Sequence, residues 1–267
     1  MWKLLLLPAI LYLVVLAVLW FAQGSLLFPA GAVQGAGALP PGAERLAVDT
    51  PDGERLHGIH IRAGGDAPAQ GPLILGFGGN GWNGEDVAQY LVELFADHDV
   101  VAFHYRGYRP STGSPSGPAL LRDAALVHAE VVRRYRPASI VAVGFSVGSG
   151  VAARLARERP LAGAILVTPF DSLAEVVARH YRWLPVRLLF RHEMPAAADL
   201  ARSRVPVAIL AAGSDDLILP ERTAALRPKV PRLVYDRTVA GAGHNDIYRR
   251  SEFQAAMREA LAAVVRH

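Results

Sequence analysis

Ser146 stands between two glycines in Gly144-Phe145-Ser146-Val147-Gly148, directly after the apolar run Ile140 to Val143. A serine hydroxyl is too weakly acidic to attack a carbonyl unaided, so this chemistry needs an imidazole to take the proton and return it to the leaving group. It also needs a carboxylate that fixes the imidazole tautomer. The chain holds candidates for both: Asp215 and Asp216 in Gly213-Ser214-Asp215-Asp216, and His244 in Gly241-Ala242-Gly243-His244. Negative charge building on the tetrahedral intermediate requires preorganised donors. The backbone N–H groups of Asn80, in Gly78-Gly79-Asn80-Gly81, and of Val147 are the candidates for that oxyanion hole.

Each residue also has a plainer reading. The serine motif fits a Gly-rich strand-to-helix turn of any doubly wound protein. Either aspartate fits an Asx turn or a cap for a helix starting near Pro220, and a lone loop histidine is more often structural than catalytic. A phosphate cradle is a further alternative for the Gly78 cluster, but no Gly-Lys-Ser/Thr follows it. The chain order Ser, Asp, His favours the catalytic reading, because each member follows its own expected strand.

Those strands are legible as short apolar runs between amphipathic segments. Strands are expected at Leu73 to Phe77, Val100 to Tyr105, Ile140 to Phe145, Ala162 to Thr168, Val207 to Ala212 and Leu233 to Val239. Helices are expected at Glu85 to His98, Pro118 to Tyr135, Val147 to Glu158 and about Asp246 to Val265. That alternation predicts a parallel α/β sheet, with ligands bound outside the carboxyl ends of its strands. Glu44 to Val48 and Arg55 to Ile61 alternate around Thr50-Pro51-Asp52-Gly53 and predict an opening antiparallel hairpin. Phe253, Met257, Leu261 and Val264 recur at helical spacing and read as core.

Composition narrows the rest. With 267 residues, 52% hydrophobic and 19% charged, the chain can bury a sizeable core. It has no cysteine, which excludes disulfides and thiolate chemistry. The net charge of +4 comes from scattered arginines without basic runs, so no nucleic-acid partner is expected. No metal and no cofactor are expected either, since no H-x-x-x-H or carboxylate-histidine cluster appears.

Leu4 to Phe21 is an uncharged apolar run about 27 Å long as a helix, close to a hydrocarbon core. It exceeds a usual signal-peptide core, and Trp20-Phe21-Ala22-Gln23 is a poor cleavage site, so an uncleaved anchor is favoured over a signal peptide. Trp2 and Trp20 sit near its ends, and Lys3, the only charge before Glu44, directs the N-terminus to the cytoplasm and the domain to the other side. A Gly-, Ala- and Pro-rich linker is expected to follow, giving an anchor at 1–24, a linker at 25–43 and a folded domain at 44–267.

The apolar anchor, Gln23-Gly24-Ser25-Leu26-Leu27-Phe28-Pro29, the Gly79-Asn80 loop, Tyr105-Arg106-Gly107-Tyr108 with Ser111 and Gly113, the Ser146 motif, Asp216 four before Pro220, and Gly243-His244-Asn245-Asp246 resemble the membrane-anchored α/β-hydrolase-domain serine hydrolases. That group includes depalmitoylase-like members and related bacterial esterases and thioesterases. The resemblance implies an α/β-hydrolase fold: a mostly parallel sheet with an antiparallel start, helices on both faces, a short helical cap at about 169–204 and a transmembrane helix. It implies a single-pass protein of the bacterial inner membrane, with a Ser146, Asp216, His244 triad that cleaves acyl esters or thioesters. In the family pattern the acid stands four before the proline, which selects Asp216 over Asp215. The family's oxyanion loop usually begins His-Gly, where this chain has Gly78-Gly79. Tyr105 to Tyr108 is expected to buttress that loop and the serine turn. The cap, with Arg182, Arg187 and Arg191 among large apolar residues, could line an acyl pocket, rest on a membrane, or simply pack on the core. A hydrolase-fold protein that binds an acyl ligand or partner without turnover is the alternative function.

Overall fold

The computed structural model describes residues 2–33, 38–64 and 71–267, with side chains from Leu6 onward. The side chains of Trp2 and Lys3 and the middle of the expected linker lie outside the described residues. Helix α1 (Trp2–Leu27) opens the chain, and strands β1 (Glu44–Asp49) and β2 (Arg55–Ile61) form the antiparallel hairpin. There follow β3 (Leu73–Phe77), α2 (Gly84–Leu94), β4 (Val100–Phe103), α3 (Gly117–Tyr135), β5 (Ile140–Phe145), α4 (Val147–Glu158) and β6 (Gly163–Val167). Three short helices, α5 (Leu173–His180), α6 (Val186–Leu189) and α7 (Ala196–Leu200), separate β6 from β7 (Val207–Ala212). Helix α8 (Pro220–Leu226), β8 (Leu233–Val239) and α9 (Ser251–Arg266) complete the chain.

One eight-stranded sheet runs in the order β1-β2-β4-β3-β5-β6-β7-β8, parallel from β4 onward. Strands β3 to β7 are buried along their whole length, which is why they read as unbroken apolar runs rather than alternating ones. Helices α3 and α4 cover one face through Leu120, Val127, Val151 and Leu155. On the other face lie α2, through Val87 and Leu91, and α9, through Phe253, Met257 and Leu261.

Two expected boundaries differ in the structure. Helix α1 continues to Leu27, and Phe28 is buried in the core, edge-on to His192 with ring centroids 5.7 Å apart. The segment expected to be a free linker therefore begins as packed structure, since a phenylalanine next to an apolar surface gains about 1.5–3 kcal/mol by burial. Helix α2 stops at Leu94, because the Phe95 side chain turns into the core with Leu91 and Leu94.

Candidate active site

The strand order reverses at β3, which has β4 on one side and β5 on the other. The loops leaving β3 and β5 thus meet at the carboxyl edge of the sheet, where open α/β sheets bind ligands. Ser146 occupies the bend between β5 and α4 with φ +50° and ψ −117°. Its N–H donates to the Val167 carbonyl at 2.9 Å. The flanking glycines are obligatory: a Cβ on Gly144 would lie 2.3 Å from the Gly148 carbonyl oxygen, and one on Gly148 would lie 2.2 Å from that of Phe77. Those contacts force the hydroxyl outward from the end of the sheet.

The Ser146 hydroxyl lies 3.0 Å from Nε2 of His244, and Nδ1 of His244 lies 2.8 and 3.0 Å from the two oxygens of Asp215. All three are buried, at 8%, 5% and 4% exposure. With a carboxylate against Nδ1, that nitrogen carries the proton and Nε2 is left to accept from serine. Of the two aspartates the residue brought to His244 is Asp215, not the expected Asp216, which is exposed. One oxygen of Asp215 also accepts the N–H groups of Leu217 and Ile218, at 3.0 and 2.7 Å. That Asx-type turn aims its carboxylate inward, so the two readings weighed for the aspartates, turn former and histidine partner, belong to one residue.

The loop after β3 lies against the serine: a Cβ on Gly79 would be 3.6 Å from that of Ser146. Two tyrosines pin the loop from behind. Tyr105 donates its hydroxyl to the Gly78 carbonyl and Tyr108 donates to the Asn80 carbonyl, both at 2.7 Å. Arg106 joins the same segment to Asp123 and Asp52. The Gly78 position has no space for a side chain, because its Cβ would fall 2.8 Å from Val87 Cγ2 and 3.1 Å from Trp82 Cβ. Val147 is the first residue of α4, so its N–H is among those a helix leaves without an internal acceptor.

Trp82, Phe145, Tyr90 and Tyr248 form an aromatic cluster joining the β3 loop, the serine turn and the His244 loop, with Trp82 centred 5.2 Å from Phe145 and 5.0 Å from Tyr248. Burial pushes the Tyr248 hydroxyl up to about 12, so it stays neutral. Its sequence neighbours gave no sign of this role, which depends on contacts between three separate loops.

The α/β hydrolase fold family matches residues 73–199. The uncharacterized protein Rv2307c of Mycobacterium tuberculosis is 37% identical over 242 residues, 87% of this chain and 84% of that protein. The lysophosphatidylserine lipase ABHD12 of Danio rerio is 32% identical over 170 residues, which span 56% of this chain and 44% of the lipase. Among solved structures, an alpha-beta hydrolase from Vibrio vulnificus superposes with a TM-score of 0.72 at 20% identity, over 92% of this chain and 93% of its own. The chain thus belongs to one family with Rv2307c and has the α/β-hydrolase fold.

Proposed function

We propose that this protein is a serine hydrolase that cleaves carboxylic esters or thioesters of acyl groups, with Ser146, His244 and Asp215 as its triad. The observation that carries the proposal is the buried, unbroken line of hydrogen bonds from Ser146 through His244 to Asp215 on a bend that only flanking glycines permit. The serine oxygen attacks the acyl carbon as its proton passes to Nε2 of His244, and Asp215 stabilises the imidazolium. The resulting oxyanion accepts from the N–H groups of Asn80 and Val147. Collapse expels the alkoxide or thiolate, which takes the proton from His244. Water then attacks the acyl-enzyme, giving its proton to the same nitrogen, and the acid leaves as the serine is restored.

In this reading α1 is a membrane anchor, and the segment carrying α5 to α7 is the cap. Residues Leu6–Leu27 have a mean hydropathy of 2.3 and are long enough to cross a hydrocarbon core. The catalytic domain then lies on the non-cytoplasmic side of a bacterial inner membrane. The test is labelling of the purified full chain and its Ser146→Ala variant with a fluorophosphonate, read by intact mass. A single adduct lost in the variant is expected. A folded wild type that takes none would remove the nucleophile and with it the proposal.

A further inference from the structure

The C-terminal half of α1 does not stand free of the domain. Tyr12 donates its hydroxyl to the Trp183 carbonyl at 3.0 Å, and Gln23 donates to the Leu189 carbonyl at 3.0 Å while accepting from the Arg191 N–H at 3.0 Å. The Arg191 guanidinium lies over the Trp20 ring at 4.7 Å and donates to the Trp20 carbonyl at 2.9 Å. Tyr12 precedes Leu27 by about 22 Å of helix, so α1 and the α5–α6 segment run side by side over that distance.

Between them is a cavity of about 240 Å³. Leu16, Leu19 and Trp20 line it from α1, and Leu184, Leu189 and Phe190 from the opposite side. Gln23 also faces it, but its amide group is spent on Leu189 and Arg191. Its lining is mostly apolar and the Gln23 amide is already engaged, so hydrocarbon is the ligand it favours. Leu27 also lines it, and the Leu27 carbonyl accepts from the Asn80 side chain at 3.0 Å, while Asn80 adjoins Gly79, which lies against Ser146. Trp183, beside Tyr12 of α1, and Leu188 of α6 are 55% and 81% exposed, adding apolar surface on this side of the domain.

We propose that this cavity is the acyl-chain subsite of the Ser146 centre, so that the N-terminal helix forms a wall of the substrate site as well as an anchor. The inference rests on the serine-hydrolase reading above. A methylene fills roughly the ~30 Å³ of a water in the liquid, so the cavity accepts about eight carbons of a single chain, with the carbonyl continuing past Leu27 and Asn80 toward the serine. The occupant is an unbranched acyl ester; the apolar lining offers a polar headgroup no partner, so the headgroup stays at the open edge of the sheet.

The test uses the full chain in detergent micelles with p-nitrophenyl acetate and p-nitrophenyl decanoate, and the filling variants Leu184→Trp and Leu16→Trp. Expected is a loss of about tenfold or more in kcat/KM for the decanoate, with acetate turnover within about twofold of wild type as the internal measure of an intact fold and triad. Equal losses on both esters in both variants, or unchanged decanoate turnover, overturn the subsite. A wild type that hydrolyses neither ester counts against the catalytic reading instead. Dansyl-undecanoic acid binding then decides the cavity: retention by wild type and loss in the two variants supports it, and equal binding overturns it.

Discussion

The side-chain amide of Asn80 donates to the main-chain carbonyl of Leu27 at 3.0 Å, tying the loop beside Ser146 to the last residue of α1. Asn80→Ala keeps the backbone N–H that the oxyanion would use but releases this tie. Small displacements of a positioned donor are costly in rate, so kcat on p-nitrophenyl acetate should fall by about ten- to a hundredfold with KM little changed. Steady-state kinetics check this, and a wild-type kcat would show that the tie positions nothing.

Asp215 and Asp216 are neighbours with opposite surroundings, one held against His244 and two backbone amides, the other in solvent. Asp215→Asn should reduce kcat by about ten-thousandfold through the wrong tautomer, whereas Asp216→Asn should stay within about twofold on the general neutrality of surface changes. Equal effects from the two variants would contradict the assignment.

Ser146 holds a positive φ that glycine adopts freely and serine does not. Such conformations store about 1–3 kcal/mol, so the inactive Ser146→Gly variant should melt above the equally inactive Ser146→Ala variant. Thermal unfolding of the pair by circular dichroism decides it; a lower or equal melting temperature for the glycine variant would mean that the bend carries no strain.

Burial, the largest cause, holds His104 down to about 4 from its ordinary 6.5, and its neutral Nδ1 accepts the Gly84 N–H at 3.3 Å. A histidine depressed in the folded state leaves the unfolded chain binding the extra proton between those two values. Its contribution is therefore complete above about pH 6.5 and is lost as the pH falls toward 4, by on the order of 3 kcal/mol. Urea titrations across this window should show a shallower decline for His104→Gln than for wild type. Parallel declines would assign the acid sensitivity elsewhere.

The sheet was legible because its central strands are buried on both faces, and apolar runs such as Ile140 to Val143 have few other solutions. Ser146 and His244 were legible for a related reason: glycine spacing and the position after a strand are local properties of the chain. The choice between Asp215 and Asp216 was not local. It turns on which carboxylate accepts the Leu217 and Ile218 amides, and counting back from Pro220 points to Asp216 rather than to the Asp215 that contacts His244. The start of α9 was set too early for a similar reason, since Asp246 accepts from the Gly243 N–H and pairs with Arg250, closing a separate turn before Ser251. The packing of Phe28 and α1 against the domain depends on contacts more than 100 residues away along the chain, which no local pattern encodes.

Burial of Phe28 immediately after Leu27 leaves no slack between helix and catalytic domain. A domain on a loose leash would sample every height and orientation above its membrane. If α1 spans a membrane as proposed, the tilt of the helix would fix both, and the α5–α6 face packed along it would be held against the lipid. A serine hydrolase anchored as proposed would select among substrates by where their ester bonds sit relative to the bilayer, before any contact inside the pocket discriminates between them.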